Sequence, residues 1–138
     1  MKRNLTGTLS LVALALLFTT TGAHAQSAAQ AYVPFAFSVG TTHLPAGTYK
    51  IMREEFDTNY ITIRNLGTGA TTLSLYQQET RGHLSHKMVF RHVGDQYFLA
   101  QIWGPEATPG MTIPATKRER KLEVAAVPPT QNVEIALK

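Results

Sequence analysis

The sequence predicts a mainly β fold: a single antiparallel β-sandwich or small open barrel carrying one short C-terminal helix. Three observations predict it. Apolar residues recur at every second position in a series of short runs. Clusters rich in Gly, Pro, Asn and Asp separate those runs at spacings of roughly eight to twelve residues, as in sandwiches and small barrels. Helix signals gather in one place only, from Thr116 to about Ala126.

The chain has 138 residues, no cysteine and a formal net charge of +4. Its first residues read as an export signal over 1–25. Lys2 and Arg3 form a basic start, Leu9 to Phe18 an apolar run, and Ala23-His24-Ala25 a small-residue cleavage site ahead of Gln26. The apolar run is about half the length that a membrane-spanning helix needs, and no cysteine follows it to carry a lipid. Residues 26–138 are then expected to form a single β-rich domain, large enough to hold a core without disulfides. The absence of cysteine removes thiol catalysis, thiolate metal sites and redox roles. No further apolar run reaches spanning length, so no transmembrane segment is expected in the mature chain.

Val33, Phe35, Phe37 and Val39 alternate with Pro34, Ala36 and Ser38, the pattern of a half-buried strand. Pro34 cannot donate to a ladder, which predicts that this strand lies on an edge or points that position outward; an exposed edge would be open to a partner strand. Leu44-Pro45-Ala46-Gly47 reads as a β-turn. Thr48–Arg53 alternates with Tyr49 and Ile51 on one face. Glu54 to Asp57 is a polar connection. Tyr60–Arg64 turns Ile61 and Ile63 inward and Tyr60 outward, and Thr71–Tyr76 is expected to turn Leu73 and Leu75 inward. Gln77 to Ser85 reads as a longer loop.

His86–Val93 and Gln96–Trp103 flank Gly94-Asp95, the signature of a two-residue type II′ hairpin. That register sets His92 opposite Tyr97, Phe90 opposite Leu99, Met88 opposite Gln101 and His86 opposite Trp103. Both faces of this hairpin are largely apolar, which predicts a central position. Gly104 to Gly110 breaks the pattern. Thr116 then caps the helix, with Glu119 three residues on completing a capping box, and Pro128-Pro129 follows its end. Asn132–Leu137 closes the chain as a strand.

Three of these stretches together resemble a known group. They are the Val33-Pro34-Phe35-Ala36-Phe37-Ser38-Val39-Gly40 start with its Leu44-Pro45-Ala46-Gly47-Thr48-Tyr49 sequel, Lys87-Met88-Val89-Phe90, and Gly94-Asp95-Gln96-Tyr97-Phe98-Leu99 with Gln101-Ile102-Trp103. The pattern resembles short exported proteins common in acidobacterial genomes. The resemblance implies export and a β fold, and carries no activity, substrate or catalytic residue with it. The Pro-Ala-Gly-Thr-Tyr piece also looks like a strand of bacterial Greek-key sandwich modules.

Catalytic signatures are sparse. There is no G-x-S-x-G elbow, no S-x-x-K and no H-E-x-x-H. His86 and His92 share a strand face about 20 Å apart, too far for one metal ion. His83 and His86 at a loop end would need further ligands, and Glu54, Glu55 and Asp57 could supply a carboxylate pair. Those residues define one functional expectation, a small metal-dependent or carboxylate-based hydrolase. The other, favoured here, is a non-catalytic module, periplasmic or extracellular, that binds an envelope protein, a polysaccharide or another extracellular partner. It needs no cofactor. Its candidate ligand contacts are the aromatic side chains Tyr60, Tyr76 and Trp103, with Trp103 and Tyr97 alternatively core beside Phe90 and Leu99. Its candidate anion contacts are Lys117, Arg118, Arg120 and Lys121 on the helix. So small a net charge on an exported chain argues against nucleic acid.

Overall fold

The computed structural model describes residues 28–53, 59–80, 86–104, 109–126 and 128–138. The fold is mainly β with one short helix: two sheets enclose one core, as a sandwich or small open barrel requires. The first sheet has the order β1-β4-β5-β6, formed by Ala28–Val33, Gly47–Arg53, Tyr60–Asn65 and Thr71–Leu75. The second runs β11-β8-β9-β10-β7, from Gln131–Ala136, Lys87–Val93, Gln96–Trp103, Gly110–Thr112 and Gln77–Glu79. A hairpin of β2 (Phe37–Val39) and β3 (Thr42–Leu44) joins the second sheet through a parallel bridge between Ser38 and Phe98. The helix α1 spans Lys117–Ala125.

The expected single strand over Val33–Val39 is two strands in two different sheets. Pro34 has no N–H, so the β1 ladder stops at Val33. The chain then crosses the core and buries Phe37. Phe35 packs between two rings, stacked on Tyr97 at 3.9 Å and edge-on to Phe90 at 5.2 Å. The outer side of β1 is also less open than expected, because Gln30 exchanges both backbone hydrogen bonds with Lys138.

The return crossing, from β3 to β4, is a tyrosine corner of the kind found in Greek-key sandwiches. Tyr49 is fully buried and its hydroxyl donates to the carbonyl of Pro45, four residues upstream, at 2.5 Å. Its ring meets Phe37 edge-on at 5.1 Å, tying the two sheets together. Gly47 leaves room for Asn65, whose amide nitrogen would lie only 3.0 Å from a β-carbon there. Asn65 in turn accepts from the N–H groups of Gly67 and Thr68 and so closes the β5–β6 turn.

The β8–β9 hairpin is central, with β11 on one side and β10 on the other. Gly94 takes φ of 62°, the conformation that primed hairpin turns require at their first central position. Near the turn the expected register holds, with His92 opposite Tyr97 and Phe90 opposite Leu99. Beyond it a bulge at Ala100 shifts every pair by one, so Val89 meets Gln101, Met88 meets Ile102 and Lys87 meets Trp103. The freed Ala100 carbonyl accepts from Ile113 N–H at 2.7 Å, which fastens the segment before α1. The shift also moves Trp103 to the face opposite Phe90 and Leu99, as any one-residue slip must. It stays buried there, packed so closely on Gly110 that a β-carbon at that position would collide with the indole.

Two more expectations are corrected. Gln77–Glu79, read as loop, pairs with β10. Leu73 and Leu75 face outward, 58% and 52% exposed, while Thr72 and Tyr76 are buried. The reason lies across the ladder: Thr72 and Ser74 oppose the inward Ile63 and Ile61, so the leucines must share the outer face with Tyr60 and Thr62. In α1, Thr116 caps as expected, accepting from Glu119 N–H at 3.1 Å. The reciprocal half of the capping box is missing, because the buried Glu119 carboxylate turns to Arg91 on β8 instead.

Candidate functional site

β6 is an open edge of the first sheet. Asn65 N–H donates to Ala70, and Tyr76 N–H donates to Asn59, both at 2.8 Å. These two bonds bracket the five β5–β6 pairs and fix which of them are hydrogen-bonded, since such pairs alternate in an antiparallel ladder. Thr72, Ser74 and Tyr76 therefore direct their backbone groups toward β5. Thr71, Leu73 and Leu75 direct theirs away from the sheet, where no strand among the described residues pairs with them.

A cleft of about 380 Å³ lies along this edge. One wall is Tyr60, Leu73, Ser74 and Leu75; the other is the β2–β3 turn from Val39 to Thr42, with Ile113, Pro114 and Thr116. None of these side chains is charged. The apolar parts come from tyrosine, leucine, valine and isoleucine, and the polar parts are hydroxyls. Thr116 spends its own oxygen on capping α1. Such a lining is chemically matched to a neutral, partly apolar group rather than a charged one, and backbone donors and acceptors stand along the neighbouring strand edge.

Of the three aromatic candidates, only Tyr60 reaches this cleft, half-buried on the outer face of β5. Tyr76 is 4% exposed, belongs to the core, and carries the Arg53 guanidinium 5.7 Å from its ring centre. Trp103 is likewise 4% exposed and donates through Nε1 to Gln101 at 3.3 Å. Trp103 is thus buried, but on the face away from Phe90 and Leu99 and not in the core cluster they belong to, as the alternative had it. Tyr97 is half-buried, stacked between Phe35 and His92, with His92 at 4.2 Å and nearly parallel.

The helix cations are exposed but do not converge on a site. Arg120 donates from Nε and Nη2 to the carbonyl of Ala115, at 3.3 and 3.1 Å, and Arg118 reaches Gln96 at 3.4 Å. Lys117 and Lys121 project into solvent. His83, Glu54, Glu55 and Asp57 lie outside the described residues. Among the described residues no three His, Cys, Asp or Glu side chains come together as metal ligands would. Among the described residues, a Ser38–His43 hydrogen bond of 3.4 Å is a nucleophile–base contact that the sequence did not announce. It joins exposed cross-strand neighbours of a short hairpin, and no carboxylate among the described residues hydrogen-bonds the imidazole to orient it.

Two other concavities offer less. One of about 400 Å³ lies beside Tyr32 and Lys138, where the adjacent β1 edge is already bridged by the Gln30–Lys138 bonds. The other, about 240 Å³, lies between the hairpin tip and the end of α1. No helix among the described residues is long and apolar enough to cross a membrane. Compared with family models, with curated proteins and with solved structures, the chain finds no match in any of the three.

Proposed function

We propose that this protein is an exported, non-catalytic binding module of the periplasm or extracellular space, and that its ligand is an extended segment of a partner polypeptide held along β6. The observation that carries the reading is the coincidence of an uncharged, mainly apolar cleft with an unpaired strand edge. Strand addition uses both: backbone hydrogen bonds supply affinity, and pockets for alternate side chains supply selectivity. A polysaccharide is the weaker ligand. Sugar sites combine an aromatic platform with side chains that bond hydroxyls in pairs, and the cleft holds one ring and no carboxylate, amide or guanidinium. Export rests on the Lys2–Arg3, Leu9–Phe18 and Ala23–Ala25 pattern, and the hydrolase alternative draws no support from the described residues.

The test uses the purified protein and a labelled, uncharged peptide in which apolar residues alternate with threonine. Saturable binding that weakens at least about tenfold in Tyr60→Ala and in Leu75→Lys supports the proposal. Absence of peptide binding overturns it. So does retention on peptidoglycan or cellulose that survives high salt and disappears in Tyr60→Ala, which would make the cleft a glycan site.

A further inference from the structure

Resting on the reading that the β6 edge takes an extended polypeptide, we infer that this polypeptide is β6 of a second copy of the chain. The first argument is what the edge lacks. Proteins protect exposed strand edges with lysine, proline, inward charges or bulges. The Thr71–Leu75 strand has no charge and no proline, and its five pairs with β5 run without a bulge. Three other edges are treated differently: β1 is bridged to the C-terminus, and β11 and β7 carry Glu134 and Glu79; β3, also open on one side, is only three residues long.

The second argument is self-complementarity. An antiparallel pair centred on Leu73 sets each Leu73 opposite its own copy, and Thr71 opposite Leu75 of the second copy. Leu73 is one of the outward-directed residues, so this central pair exchanges both backbone hydrogen bonds. Four leucines then form one apolar patch across the twofold axis, and each end row runs Tyr60 and Leu75 of one copy, then Thr71 and Arg64 of the other. The two Arg64 side chains stand at opposite ends. Four residues of strand separate them by about 13 Å along the sheet, beyond the screening length of about 8 Å at physiological salt. No like charges meet, and the four-stranded sheet becomes an eight-stranded one.

The contact is short. A five-residue edge with its leucines falls below the standard interface of about 1,600 Å², so the association is weak and concentration-dependent. Sedimentation velocity of the protein from micromolar to millimolar concentration tests it. The expected result is a monomer–dimer equilibrium whose dissociation constant rises at least about tenfold in Leu73→Lys, which opposes two ammonium groups, and is unchanged in Val124→Ser on the exposed face of α1. Position 73 is already exposed, so an unchanged melting temperature verifies that Leu73→Lys folds. Monomer throughout, or a dimer indifferent to Leu73→Lys, overturns the inference. Monomer with intact binding of the threonine–apolar peptide overturns it while leaving strand addition standing; loss of both overturns both.

Discussion

Tyr49 concentrates much of the fold into one side chain. It is fully buried, its ring bridges the two sheets through Phe37, and its hydroxyl closes the turn at Pro45. Removing that hydroxyl leaves a part-buried carbonyl without its donor, so Tyr49→Phe is expected to cost about 1–3 kcal/mol in urea unfolding. Burial also raises the phenol above its ordinary value of 10.0, an effect partly offset by a hydrogen bond from Asn65. The unfolded tyrosine therefore ionises first as pH rises. Its contribution is fully present below pH 10.0 and is lost as pH climbs from there through the folded value. Thermal melts across that window should show a fall in the parent protein that is shallower in Tyr49→Phe; equal slopes would deny the tyrosine this role. The residue was legible in advance as an inward aromatic, because it alternates with Ile51. Its corner was not legible: Leu44–Gly47 read as a β-turn and the Pro-Ala-Gly-Thr-Tyr piece as a strand, and the hydrogen bond to Pro45 depends on how the turn closes.

Helix α1 is held to the sheet by charge more than by apolar surface. Val124 is 91% exposed, whereas Glu119 is buried against Arg91 at 2.5 Å, with Glu123 one turn later at 4.0 Å. Breaking such a pair strands the remaining charge. Glu119→Ala is therefore expected to destabilise the protein by about 3 kcal/mol in urea unfolding. Arg91 already has a buried Nη2 without a hydrogen-bond partner among the described residues, which leaves it little to fall back on. A loss under about 0.5 kcal/mol, the usual range for surface changes, would mean that the helix is not anchored there. The sequence placed this helix correctly within a residue at its start, because a threonine cap is a local signal. It misassigned Glu119, because a carboxylate three residues after a cap has two possible partners and only the packed sheet supplies Arg91. The β9 bulge is the same kind of case. Nothing local marks Ala100, and the gain comes from a distant segment, the Ile113 N–H that its carbonyl accepts.

At the scale of the molecule, period-2 alternation found most of the strands and could not distribute them between sheets. Pro34 was readable as a ladder stop, yet the crossing it permits depends on Phe35 finding Tyr97 and Phe90. β7 and β10 are three residues each, too short and in β7 too polar to announce themselves. The site shows the same division. Tyr60 was identified as outward from its alternation with Ile61 and Ile63. Tyr76 was misplaced because the leucines of β6 mimic an inward face, and only the pairing with β5 reverses it. That β6 is an edge at all is a property of the whole sheet order, invisible in any window of sequence.

Along its outer edge β6 presents the backbone groups of Thr71, Leu73 and Leu75 unpaired beside the cleft, and amide hydrogen exchange at low protein concentration reads them out residue by residue. Thr72, Ser74 and Tyr76 amides should be protected by their bonds to β5, while the Leu73 and Leu75 amides exchange orders of magnitude faster. Protection of Leu73 and Leu75 equal to that of Ser74 in the monomer, or the opposite alternation, would mean that the β6 edge is closed.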